Sequence, residues 1–429
     1  MYPSSRFSDN LGQRSLSVVL AMTVIIAVVS PADAVSRADA QNAKSAFKAI
    51  DAKKPKHALK LASKLKNPIA VKTIKWHIYR NPTFKTPFKT VLEFIEREPD
   101  WPQQKKLQVS AEESLPRDIS SANVVKLFRK RSPVSTTGKI KYIKALLDTG
   151  QKNKAVKLIK TTWIKGSFGK KQEQGFYTAY RRYLKPKDNW ARLDQLLWLG
   201  KYWPVRRMLW TVNKDYRALA VARMLLRHRR GNVDRSIAQV PKHLKKDLGL
   251  IYERLRWRRR KGKIDGAIEL LKELPSVVPH ADLWWDERAY LARKKLQKGH
   301  ITEAYKITRN HGAKSGASYA DGEWMSGWIA LRFIKDPKTA KRHFVRLHKA
   351  VKYPVSLARG AYWVARAQQA LKNKRGAQKW FQTAATYPTT YYGQLAVAQL
   401  GTGKGLEFPT MPKISPKILA EFNNHDLAH

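Results

Sequence analysis

Between residues 267 and 377 an alanine returns at almost constant spacing: Ala267, Ala304, Ala340 and Ala377 are separated by 37, 36 and 37 residues. The order around each repeats as well. A helix-ending break precedes the alanine and apolar residues follow it three or four places on. The instances are Lys261-Gly262 to Ala267 to Leu270-Leu271, Gly299 to Ala304 to Ile307, Asp336-Pro337 to Ala340 to His343-Phe344, and Lys374 to Ala377 to Trp380-Phe381. A fixed period of this length is the signature of a solenoid, because one helix pair cannot bury its apolar face alone and must stack on a neighbour. Alanine at the recurring position lets two helices approach closely where they cross. A weaker copy lies upstream, in Leu146-Leu147, Gly150, Ala155 and Leu158-Ile159.

The rest of the chain reads as helix too. Residues 40 to 66 carry two short helices broken at Pro55, and Ile69 to Tyr79 a third, stopped by Asn81-Pro82. Phe88 to Arg97 is amphipathic and ends before Glu98-Pro99; Trp101-Pro102 opens the next helix, since proline fits a first helical turn. Leu193 to Trp198 runs to Gly200, a left-handed stop, and Ala218 to Leu226 follows. Nothing alternates at period two over a useful length. The expected fold is all-α, an α-superhelix of antiparallel helix pairs of the tetratricopeptide type.

Residues 1–34 have the order of an export signal. Arg6 and Arg14 form a basic start, Leu16 to Val29 a run of 14 residues, and Ala32, Asp33 and Ala34 a small-residue cleavage site. A run of 14 falls short of the ~20 residues that cross a bilayer. The expectation is a periplasmic protein with no stable membrane span after processing. The absence of cysteine excludes disulfides, thiolate metal sites and a lipid anchor on that residue. Lys and Arg number 85 against 32 Asp and Glu, a formal charge of +53. In a cytosolic chain that balance would point to nucleic acid. In an exported chain the polyanions within reach are cell-wall polymers and anionic surfaces, so no nucleic-acid partner is expected.

Three segments carry a family resemblance. Gly327-Trp328-Ile329-Ala330-Leu331-Arg332-Phe333 with Asp336-Pro337, Ala361-Tyr362-Trp363 with Ala365-Arg366, and Tyr387-Pro388-Thr389-Thr390-Tyr391-Tyr392-Gly393-Gln394-Leu395-Ala396 resemble the end of the superhelical domain of soluble lytic murein transglycosylases. Glu98-Pro99-Asp100-Trp101-Pro102 and Arg192-Leu193-Asp194 with Leu197-Trp198 are similar to that family's N-terminal half. The resemblance implies a ring of stacked helices over residues 35–400, with 401–429 the start of a linker. In that family a lysozyme-like domain follows the linker and cuts peptidoglycan glycan strands to 1,6-anhydromuropeptides, using one glutamate as acid and then base.

The motifs of that catalytic domain do not occur here. Glu113 is the one glutamate followed by serine, and it lies within the repeats; no Gly-Leu-Met-Gln is present. No residue is therefore assigned a catalytic role, and the expectation is a truncated chain, inactive alone, that binds murein or works with a separate catalytic module. The alternative is a periplasmic scaffold that binds another protein. No cofactor and no metal are expected; His425 and His429 share a helical face without forming a metal motif. Tyr387, Tyr391 and Tyr392 are the candidates for stacking on sugar rings. Trp284, Trp285, Trp324, Trp328, Trp363 and Trp380 read instead as wedges between helices.

Overall fold

The computed structural model describes residues 36–229, 231–401 and 414–428. The expected export signal, the segment after Gly401 up to residue 413, and His429 lie outside them. Among the described residues there are helices and no strand, as the absence of period-two alternation requires.

The helices fall into two compact units. The first holds α1 (Arg37–Asp51), α2 (Pro55–Ala62), α3 (Pro68–Tyr79), α4 (Phe88–Arg97) and α5 (Gln104–Glu113), together with a late helix, Pro416–Asn423. Ala46, Ala58, Ile74, Val91 and Leu107 are fully buried in its core. Buried Asp39 accepts the backbone N–H groups of Lys66 and Asn67, at 3.0 and 2.9 Å, and so satisfies the turn into α3. The structure corrects one boundary: α5 begins at Gln104, not at Trp101-Pro102. Gln103 is left-handed, and the Gln104 amide donates to the carbonyls of Glu98 and Trp101, holding the proline in a turn.

The second unit begins with α6 (Ser121–Lys130), α7 (Thr136–Asp148), α8 (Lys152–Lys165), α9 (Lys170–Tyr180), α10 (Pro186–Trp198) and α11 (Tyr202–Met208). It continues with α12 (Lys214–His228), α13 (Val233–Ala238), α14 (Leu248–Arg260), α15 (Ile264–Lys272), α16 (Ala281–Gln297) and α17 (Ile301–Arg309). The last members are α18 (Gly316–Ile329), α19 (Pro337–Ala350), α20 (Pro354–Ala370), α21 (Lys374–Ala385) and α22 (Tyr391–Leu400). Each of the later helices packs on its chain neighbour, and α14 packs on α16, α16 on α18 and α20 on α22 as well, which is the stacking of a solenoid.

One local device builds the pairs. Gly262, Gly299, Lys335 and Lys372 all have φ between 60° and 77°, and each stands five residues before a recurring alanine. Gly150 precedes Ala155, Gly200 precedes Val205 and Lys53 precedes Ala58 in the same way. The left-handed residue ends the first helix and turns the chain. The next N–H then bonds back six residues inclusive, as in Gln151 to Leu146 (2.7 Å), Lys263 to Arg258 (2.9 Å) and Asn373 to Gln368 (3.0 Å). At Lys335 the bond runs one residue further, from Asp336 to Ala330, because a π-turn over Ala330–Ile334 finishes α18. The small residue five places on lands in the crossing: Ala155, Ala267, Ala304 and Ala340 are completely buried and Ala377 nearly so.

Successive first helices of the pairs are also tied by charge. Arg223 of α12 reaches Asp194 of α10 at 2.5 Å, Arg227 reaches Glu253 of α14 at 2.7 Å, and Arg259 of α14 pairs with Glu287 of α16. The Trp285 indole of α16 donates to Asp321 of α18 at 3.0 Å. These links draw on the scarce carboxylates and leave the lysine and arginine excess to the surface.

Candidate functional site

Of the chain's tryptophans, Trp203 and Trp210 are the exposed ones, at 66% and 76%. They flank a cleft of about 530 Å³ within the second unit. Two helical faces make its walls. From α9 come Lys170, Glu173, Gln174 and Tyr177; from α11 and the 3-10 turn Leu209–Thr211 that extends it come Trp203, Arg206, Arg207 and Trp210. Both sets have the spacing i, i+3, i+4, i+7, which places four side chains on one stripe of a helix. The floor is Trp163, itself buried, stacked on Tyr177 at 5.4 Å and fixed by its indole N–H donating to Asn189 at 3.0 Å.

The exposed rings are held rather than loose. The Arg217 guanidinium lies 4.5 Å from the centroid of Trp210 while its Nε donates to the Leu209 carbonyl at 2.9 Å. Trp203 meets Tyr202 edge-on at 5.2 Å, and Arg206 stands beside both rings. Glu173 is locked: Arg192 reaches one of its oxygens at 2.6 Å and Arg207 the other at 2.5 Å. The cleft therefore offers flat aromatic faces, the exposed cations of Lys170 and Arg206, and the Gln174 amide, while its carboxylate is already consumed. That chemistry binds a polar ring with apolar faces and an anionic substituent. It supplies no unpaired carboxyl group.

A second buried acid in a polar network, Glu323, is equally unsuited to acid catalysis. Glu323 receives His343 Nδ1 at 2.6 Å, Arg346 Nε at 3.0 Å and His311 Nε2 at 3.4 Å. Burial alone would push its carboxyl up, but the hydrogen bonds from His311, His343 and Arg346 overcome burial and hold it well below the usual carboxylate range. The Ala313 N–H donates to His311 Nδ1 at 3.2 Å, which leaves Nε2 as the ring nitrogen that faces Glu323. A glycosidic acid needs the opposite shift.

The tyrosine candidates fall in a different place. Tyr391 is exposed, Tyr392 packs on Tyr362 at 5.4 Å and on Tyr391 at 5.1 Å, and Tyr387 is half-buried. The motif around them builds a helix start. The Tyr387 carbonyl accepts the Thr390 hydroxyl at 2.8 Å, Thr390 caps Gly393, and a Cβ at Gly393 would lie 1.9 Å from the Tyr387 oxygen. Trp284 and Trp285 are buried, and Trp324, Trp328, Trp363 and Trp380 pack against the same helix cores. Sequence reasoning missed Trp203 and Trp210. Their signal was the single i, i+7 spacing of Trp203 and Trp210 with arginines between, on a helix whose buried side is filled by Val205 and Met208.

No protein-family profile and no characterised sequence matches this chain. Its fold is similar to solved structures of lytic transglycosylases. One is the 70-kDa soluble lytic transglycosylase in complex with bulgecin A, at 16% identity and TM-score 0.51 over 91% of this chain and 62% of that one. Another is an inactive mutant of the lytic transglycosylase Slt from Pseudomonas aeruginosa, also at 16% identity, with TM-score 0.55 over 91% of this chain and 62% of that one. The chain thus spans 62% of the length of these enzymes. At this identity the likeness is one of fold: an all-α superhelix of the soluble lytic transglycosylase kind.

Proposed function

We propose that this protein is an exported, periplasmic murein-binding protein whose helical array grips peptidoglycan glycan strands, with the Trp203–Trp210 cleft as a sugar contact. The observation that carries the reading is the pair of exposed, held tryptophans on one helix stripe with Arg206 and Arg207, facing Lys170, Gln174 and Tyr177 across a cleft of about 530 Å³. The fold likeness and the formal charge of +53 support it. Sugar rings offer C–H faces to indoles, and the carboxylates of muramoyl groups and stem peptides offer charge to Lys170 and Arg206.

In this reading residues 1–34 are a cleaved signal, 35–400 the binding array and 401–429 the start of a linker. Among the described residues no helix is long and apolar enough to cross a membrane. Cleavage is not assigned to this chain: no residue matches the family's catalytic glutamate, and the acid of the cleft, Glu173, is doubly paired. Tyr391 is a secondary sugar contact.

The test incubates the processed protein with purified sacculi, measures the pelleted fraction at two salt concentrations and assays the supernatant for 1,6-anhydromuropeptides. Retention is expected at low salt, with weakening as the Debye length falls from ~8 Å near 0.15 M to ~3 Å near 1 M. No anhydro product is expected. Absence of pelleting at low salt contradicts the binding claim, and anhydro product contradicts the division of roles. N-terminal sequencing of protein recovered from cells is expected to begin at Val35; an intact Met1 contradicts export.

A further inference from the structure

Among the described residues three arginines are almost wholly buried, and two of them face carboxylates. Arg192 pairs with Glu173, and Arg223 pairs with Asp194 and Asp247. Arg288 of α16, 6% exposed, has no such partner. Its Nη1 donates weakly to the Ile307 carbonyl at 3.4 Å, and its Nε makes no hydrogen bond. Burial pulls its guanidinium down to about 10, with no neighbouring charge set against that pull, so it stays cationic at neutral pH.

Arg288 lines a cavity of about 620 Å³ between α15, α16 and α17. The acids around that cavity are already taken. Lys295 holds both Asp265 and Glu303 at 2.6 Å, and Arg258 reaches Glu269 at 3.5 Å. Lys306 and Arg309 stand exposed at the rim. A buried charge without a counterion is costly, and this guanidinium lines a cavity whose rim carries the further cations Lys306 and Arg309.

We propose that this cavity binds an oxyanion, the carboxylate or phosphate group of a small ligand, whose charge pairs with Arg288. A planar guanidinium accepts either group through paired N–H donors. The site is separate from the tryptophan cleft and does not depend on the glycan reading.

The experiment compares the thermal midpoints of the intact protein, Arg288→Met and Arg288→Lys in sodium chloride, sodium phosphate and sodium succinate at matched ionic strength. Phosphate raises the stability of most proteins by exclusion from the surface, so the readout is each protein's excess stabilisation over chloride, compared between parent and variant in the same salt. A saturable excess in phosphate, in succinate or in both is expected for the parent, lost in Arg288→Met and reduced in Arg288→Lys. An excess in phosphate alone assigns the phosphate group, and one in succinate alone assigns the carboxylate. In chloride, Arg288→Met is expected to melt no lower than the parent, since it removes a charge that has no counterion. No saturable excess with either anion, or an equal one in the variants, overturns the proposal. If Arg288→Met does not fold, Arg288→Lys carries the comparison, and an undiminished response in it overturns the proposal equally.

Discussion

Residues in the left-handed region set each helix pair, and their chemistry yields two opposed predictions. At Gly262 and Gly299 a Cβ would meet nothing within 4 Å, so the cost of Gly→Ala there is backbone strain alone. Each substitution is expected to lower stability by about 1 kcal/mol in denaturant titration. Lys335 and Lys372 adopt the same conformation with a side chain present, and Lys335→Gly or Lys372→Gly is expected to gain about 0.5–1 kcal/mol, the relief of strain exceeding the added unfolded-state entropy. Loss at both lysine sites would show that their side chains do more than tolerate the turn. Glu323 makes a pH prediction. Its folded-state pKa is depressed, so its contribution is complete above the unfolded value of ~4.3 and is lost as pH falls through that value towards the folded one. Glu323→Gln is expected to flatten this acid limb of the stability profile; an unchanged limb would mean the network does not hold the charge. The same residues explain what the sequence conceals. Gly150, Gly262 and Gly299 announce their turns, whereas Lys53, Lys335 and Lys372 carry no mark of φ > 0, and the copy at Lys53 and Ala58 is invisible without coordinates.

Helices are where the reading from sequence is fullest. The alanine period predicted the pairs from α14 to α21, since a repeating small residue reports a repeating crossing. Ala304 and Ala340 are completely buried there, and replacing either by Leu is expected to overpack the junction and cost ~1–3 kcal/mol, read as a lowered denaturation midpoint. Unchanged midpoints would mean these positions do not govern helix approach. What the pattern does not carry is the charge ladder from Asp194 to Glu287 or the start of α5. Both arise from side chains meeting across 20 to 30 residues of chain or from one local amide, neither of which leaves a periodic trace. Tryptophan is ambiguous at this scale for the same reason. On an amphipathic helix it reads as core, and only the packing of α11, which turns Val205 and Met208 inward, leaves Trp203 outside.

For the molecule as a whole, the large positive excess and the aromatic cleft give the array its proposed task. Charge supplies attraction that salt screens, whereas the tryptophans supply a contact that salt does not remove. The two contributions are separable, and the tryptophans test the central claim most directly. The measurement is the affinity of Trp203→Ala/Trp210→Ala and of the parent for purified sacculi, at a salt concentration where the parent still binds, with circular dichroism confirming equal helix content. Each ring stacked on a sugar is expected to contribute ~0.5–1.5 kcal/mol. The double variant should therefore bind about tenfold more weakly, a difference of about 1.4 kcal/mol. Equal affinity of the two proteins would contradict the assignment of this cleft to glycan binding.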